Sequence, residues 1–118
     1  MSNFIPLQQA IDMTTLYRKE MGEILAEPFK EKNVLAICET FEKADIEKML
    51  SKPGCEKLRV YYGMDENLSV HALLVAVNSN NEDMLTTIKS DNSTSDEDVL
   101  DNALRCPPMC PPAFPLNS

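Results

Sequence analysis

The residues best suited to chemistry are Cys106 and Cys110, in the segment "RCPPMCPPAFPLNS", and His71, the only histidine of the chain. Cysteine thiolates and neutral imidazole are zinc ligands, and a cysteine pair can cycle between dithiol and disulfide. The spacing C-x-x-x-C is less diagnostic than the two-residue spacing of zinc knuckles and redox motifs. Its prolines bear on geometry first. In polyproline II the rise is about 3.1 Å per residue, so cysteines four apart stand roughly 12 Å apart and point in different directions. That extended form cannot be bridged by one metal ion, nor by a disulfide, which needs Cα atoms within about 7 Å. Cys106, Pro107 and Cys110 each precede a proline and are pushed toward extended backbone. A β-turn at Pro108-Met109 is the one place where the segment can fold back and bring the thiols together. Without that turn the segment reads as a stiff strap docked on the domain through Phe114 and Leu116.

His71 sits in an otherwise apolar run, "VHALLVAV". It can complete a zinc site with Cys106 and Cys110 or act as an acid or base, but a strand histidine opposite Val60 reads first as a packed side chain with one hydrogen bond. Arg59 and Tyr61 alternate along the preceding run and can bind a planar or anionic ligand by stacking and bidentate hydrogen bonding. The acidic group Asp96, Glu97, Asp98 and Asp101 lacks the alternating spacing and central glycine of an EF-hand loop, so it reads as a solvated loop. Cys38 and Cys55 read as small buried thiols. No glycine-rich phosphate loop, G-x-S-x-G elbow or H-E-x-x-H is present, and any triad would rest on His71 alone.

Nineteen acidic against eleven basic residues give a formal charge of -8, a field that repels nucleic acid and anionic lipid. No run approaches the roughly 20 apolar residues of a membrane helix. No basic stretch leading into an apolar segment opens the sequence either. The expected setting is cytoplasmic, with neither nucleic acid nor membrane as partner and all four cysteines as thiols.

The elements that must position these residues follow from periodicity. Across "LQQAIDMTTLYRKEMGEILAE", Leu7, Ala10, Ile11, Tyr17, Met21, Ile24 and Leu25 recur at helical spacing, which predicts one helix from Leu7 to Glu27. Pro6 suits its start and Pro28 its end, while Gly22 inside it costs about 1 kcal/mol relative to alanine and would mark a close contact. "NVLAICETF" predicts a strand over Val34 to Phe41, and "KADIEKML" a short helix closed by Pro53-Gly54. "KLRVYYGMDENLSVHALLVAVN" reads as a hairpin. A loop over Met64 to Asn67 would pair Val60 with His71 and Leu58 with Leu73, putting Arg59 and Tyr61 on the opposite face from His71. "MLTTI" offers an edge strand. A last helix is possible after Ser95, carrying Val99, Leu100, Ala103 and Leu104.

The fold expected is therefore α+β in two layers: a long N-terminal helix and a short helix packed on a small antiparallel or mixed sheet of three to four strands. A proline-rich C-terminal tail follows. Residues 1–118 read as a single domain. Residues 1–28 form the N-terminal helix region and 34–78 the strand, helix and hairpin core. Residues 79–98 are a mobile acidic loop, and 99–118 hold the possible short helix and the Cys/Pro-rich tail.

"PGCEKLRVYYGMDENLSVHALLVAVN", together with "IPLQQAIDMTTLYR", "RCPPMCPP" and "PLNS", resembles a group of small uncharacterised proteins from Bacteroidetes bacteria. The resemblance implies a domain of this size with the cysteine-proline tail as a shared feature, and no activity, ligand or partner.

The residues favour a non-enzymatic binding or protein-interaction domain that can homodimerise, using Arg59, Tyr61, Phe114 and Leu116, with no cofactor. The alternative is a thiol-based metal or redox protein, zinc being its metal, built on Cys106, Cys110 and His71.

Overall fold

The computed structural model describes residues 3–85, 98–113 and 115–117. Its elements run α1 (Leu7–Glu20), β1 (Cys38–Thr40), α2 (Lys43–Leu50), β2 (Lys57–Met64), β3 (Val70–Val77) and β4 (Leu104–Cys106), an α+β arrangement. The strands form two antiparallel two-stranded sheets, β1 with β4 and β2 with β3, rather than one sheet of three or four. No parallel crossover joins β1 to β2.

The hairpin of β2 and β3 pairs Val60 with Leu74, Tyr61 with Leu73 and Gly63 with His71. This lies three residues from the expected register, and an odd shift moves every side chain of one strand to the other face. Arg59, Tyr61, His71 and Leu73 therefore share a face, while Leu58, Val60, Tyr62 and Met64 share the other with Ala72, Leu74 and Ala76. Asp65 causes the shift. Its Oδ1 accepts the backbone N–H groups of Asn67 at 2.9 Å and Ser69 at 3.0 Å, and its own N–H donates to Ser69 O at 3.0 Å. The turn is thus the five residues Asp65–Ser69, with Leu68 in the left-handed region at φ 68°. Gly63, which looks like a turn residue, belongs to the strand. A Cβ there would stand 2.9 Å from Leu73 Cδ1.

β3 is buried from Leu74 to Val77, and its edge away from β2 is capped by several segments in turn. Val70 N–H donates to Val34 O at 2.7 Å and Ala72 N–H to the Glu39 carboxylate at 2.9 Å. Leu74 exchanges two 2.9 Å bonds with Leu100, and Ala76 O accepts from Met84 at 2.8 Å. The core gathers on this strand, where Met49 of α2 packs with Leu74 and Ala76 inside a shell of Phe41, Ile46, Cys55, Met84 and Leu100.

Several expected elements are shorter or different. The first helix ends at Glu20, two residues before Gly22, and a Cβ on Gly22 would meet nothing within 4 Å. Gly22 lies past the helix end and is not a close contact. No residue of α1 is buried. It is tied down by the Tyr17 hydroxyl donating to Ala36 O at 2.5 Å and Arg18 donating to Leu116 O at 2.5 Å. The expected strand over residues 34–41 narrows to Cys38–Thr40, and it pairs with Leu104–Cys106, where a last helix was expected. Leu100 is likewise a β-bridge partner of Leu74 rather than a helical residue. Arg105, buried in β4, donates to the carbonyls of Val34 at 2.8 Å, Asn33 at 2.9 Å and Val70 at 3.2 Å. It joins the two sheets. Residues 78–83, at the start of the acidic region, make a turn in which Asn78 Oδ1 accepts from the N–H groups of Asn80 and Glu82. Ser95 and most of the acidic stretch lie outside the described residues, as do Thr86–Ile88 of the expected edge strand.

Candidate functional site

The cysteine pair resolves first. Cys106 and Cys110 form a disulfide with Cα atoms 4.5 Å apart, so the expectation of thiols holds only for Cys38 and Cys55, which are unpaired. The backbone does fold back, but one residue earlier than expected: the turn lies at Pro107–Pro108 rather than Pro108-Met109, with Met109 N–H donating to Arg105 O at 2.8 Å. The Cys106-Pro107 and Pro107-Pro108 peptide bonds are cis. Polyproline II geometry does not apply to this stretch. Cys106 is buried against β1, opposite Cys38, and Cys110 is exposed. Both sulfurs are committed to each other, so they do not join His71 in a zinc site.

Of the proposed apolar anchors, Phe114 lies outside the described residues. Leu116 is exposed and contributes its carbonyl to Arg18.

Arg59 and Tyr61 do come together, but around a group of the chain itself. Arg59 Nη1 meets Asp83 Oδ1 at 2.5 Å, Arg59 Nη2 donates to Asn81 Oδ1 at 2.7 Å, and the Tyr61 hydroxyl donates to the other oxygen of Asp83. The Tyr61 bond, followed by Arg59, holds the Asp83 carboxyl below the usual carboxylate range, and the Asp83 bond raises the guanidinium of Arg59. Asp83 occupies the fork a ligand carboxylate would use.

His71 is surrounded by carboxylates. Its Nε2 lies 2.7 Å from Asp65 Oδ2, and its Nδ1 lies 3.8 Å from Glu39 Oε1 and 3.7 Å from Asp101 Oδ1. The Ser69 backbone N–H, then His71, keeps the Asp65 carboxyl below its ordinary range. Glu39 is aimed by the Ala72 N–H on its Oε2, which leaves Oε1 buried with no hydrogen-bond partner, as is His71 Nδ1. A cavity of about 440 Å³ lies beside this group, bounded by Gly63, Met64, Leu73 and Asn102 as well as His71, Asp65 and Asp101. Sequence reasoning singled out His71 but missed its partners. Glu39 carried a signal, a lone acid inside the apolar run "VLAICETF"; Asp65 and Asp101 read only as turn and loop residues.

The remaining feature is apolar. On the face opposite His71, α2 covers the β3 half of the hairpin and leaves the β2 half bare: Leu58 is 37% exposed, Val60 45%, Tyr62 79% and Met64 58%. Among the described residues no strand pairs with the outer edge of β2. No helix of the described residues is long and apolar enough to cross a membrane. Compared with known proteins, the chain matches no family model, no curated protein and no solved structure.

Proposed function

We propose that this chain is a non-enzymatic binding domain that associates with a second copy of itself through the outer edge of β2. One observation carries the reading: an eight-residue edge strand whose outward backbone groups and exposed apolar side chains belong to the same residues. On β3, the alternate residues Val70, Ala72 and Leu74 direct their N–H groups away from β2. By antiparallel alternation, Leu58, Val60 and Tyr62 then direct theirs outward from β2. Natural edge strands are usually blunted by shortness, proline or charge; this one is long and free of proline, and its charges, Lys57 and Arg59, lie on the face opposite the exposed apolar side chains. A second copy supplies the complementary surface by symmetry, since a two-fold interface uses the same patch twice. Antiparallel pairing also separates the cationic ends, setting Lys57 and Arg59 of one chain toward the uncharged Tyr61–Met64 end of the other. Arg59 and Tyr61 thus serve the hairpin rather than a ligand.

Sedimentation velocity across a concentration series tests this. The wild type should sediment as a dimer, and Val60→Lys or Tyr62→Lys should give a folded monomer. A wild type that stays monomeric, or a dimer unaffected by both substitutions, sinks the proposal.

A second reading keeps the thiol function. Exposed Cys110 closing a short disulfide loop on buried Cys106 supports a thiol–disulfide exchange role. Equilibration with a glutathione redox buffer should populate both forms; a bond that stays fully oxidised throughout rules it out.

A further inference from the structure

We propose that His71 Nδ1, Glu39 Oε1 and Asp101 Oδ1 form a binding site for a divalent transition-metal ion of the zinc class, with Asp65 orienting the imidazole through Nε2. The argument is one of hydrogen-bond accounting. An ionised carboxylate only accepts, so the ring nitrogen 2.7 Å from Asp65 Oδ2 is the protonated one. In the neutral tautomer with its proton on Nε2, Nδ1 presents a lone pair. It faces Glu39 Oε1 at 3.8 Å and Asp101 Oδ1 at 3.7 Å, two further acceptors. In that tautomer Nδ1 and the two carboxylate oxygens are all acceptors, and two of the three atoms, His71 Nδ1 and Glu39 Oε1, are cut off from solvent without a hydrogen-bond partner.

Buried acceptors left in this state are costly, at roughly 1–3 kcal/mol each, more for a charged group. A cation between them removes the penalty at both buried atoms and takes the exposed Asp101 Oδ1 as a third ligand. The donor set selects the class. Calcium and magnesium favour oxygen-only shells, whereas one imidazole nitrogen with two carboxylates suits zinc and its first-row neighbours. The surroundings match as well: a metal-binding histidine characteristically donates its other N–H to a carboxylate, which is the position of Asp65. The second oxygen of Glu39 is likewise fixed, by Ala72 N–H at 2.9 Å. The adjoining cavity leaves room for water or a small ligand at a fourth position.

Among the described residues no three such side chains already stand at the spacing of a bound ion. Metal–ligand bonds of about 2.1 Å at a tetrahedral angle place ligand atoms about 3.4 Å apart. Binding therefore draws Glu39 and Asp101 toward Nδ1 by a few tenths of an ångström. A rotation of either side chain supplies this, and the exposed Asp101 is the more mobile of the two.

The test uses the full untagged chain titrated with zinc chloride at neutral pH. Because His71 is the only histidine, its two imidazole nitrogen resonances report the site without ambiguity. One equivalent of zinc should shift Nδ1 to the metal-bound position while Nε2 keeps its proton. By calorimetry, Glu39→Gln and Asp101→Asn should each weaken binding at least ten-fold, and Asp65→Asn by about ten-fold to a hundred-fold as an orienting residue. The proposal is overturned if the imidazole resonances do not respond to zinc, even if zinc binds elsewhere, for example at Cys38 or Cys55. It is equally overturned if folded Glu39→Gln and Asp101→Asn bind as tightly as wild type. The wild-type nitrogen resonances decide the matter even where a variant fails to fold.

Discussion

Arg105→Met is the sharpest test of how this fold is held together. Arg105 is 9% exposed, and its guanidinium reaches three backbone carbonyls, those of Asn33, Val34 and Val70, at 2.8–3.2 Å. Methionine keeps the apolar stem and much of the packing, and removes only the fork. Hydrogen bonds to a charged donor contribute about 1.5–3 kcal/mol each, which gives a gross value of roughly 4.5–9 kcal/mol for three. Two effects reduce it. Val34 O also accepts from Val70 N–H at 2.7 Å and Asn33 O from the Ser69 hydroxyl at 3.0 Å, so of the three carbonyls only Val70 O keeps no other described donor. The buried cation has no carboxylate partner among the described residues, and its desolvation costs several kcal/mol, which the substitution recovers. The expected net loss is about 2–4 kcal/mol. Urea unfolding followed by circular dichroism would read it as a lower midpoint at unchanged slope. A midpoint equivalent to less than about 0.5 kcal/mol of change, the size of an ordinary surface substitution, would refute the carbonyl cradle as the joint between the sheets.

Two further outcomes follow from groups already described. Because Asp83 titrates below the ordinary carboxylate range, its stabilisation is complete above the unfolded value of about 3.9 and is lost as pH falls through the lower folded value. In Tyr61→Phe, carboxyl-carbon NMR should show the Asp83 midpoint moved up toward the ordinary value, and an unmoved midpoint would show that the hydroxyl contributes nothing. For the disulfide, alkylation without reductant followed by mass spectrometry should modify Cys38 and Cys55 only. Cys110→Ser should cost about 2 kcal/mol, the loop-entropy value for so short a ring; modification of all four cysteines would contradict the pairing.

The sequence announced the hairpin and α2 because their signals are local: β-branched residues in two runs around a polar turn, and an apolar stripe closed by Pro53-Gly54. It overextended α1 because the apolar stripe continues past Gly22. That continuation packs Met21 and Leu25 only partly against residues 33–37, and so little burial does not offset the intrinsic cost of the glycine. The β1–β4 pairing was out of reach, since it joins Cys38 to Cys106 across most of the chain and rests on Arg105, whose burial has no periodic signature. The tail was misread for a narrower reason: Cys106 is extended, as a residue before proline should be, but the chain turns immediately after it at Pro107–Pro108 and not at Pro108-Met109.

The hairpin register links the two proposals. Asp65 uses one oxygen to close the five-residue turn and the other to hold His71. The same carboxylate thus sets which face each β2 side chain occupies and which way the imidazole points. With the four-residue loop expected from sequence, Arg59 and Tyr61 would have joined the apolar face covered by α2. The observed turn sends them to the side of Asp83 and leaves Leu58, Val60, Tyr62 and Met64 uncovered on the other. The metal site and the self-association surface consequently lie on opposite faces of one hairpin. Substitutions at Val60 or Tyr62 should leave the His71 resonances in place, and zinc should not change the sedimentation of the wild type. Either proposal can then fail without taking the other with it, whereas Asp65→Asn, which acts on the turn and the imidazole together, is the one change expected to disturb both.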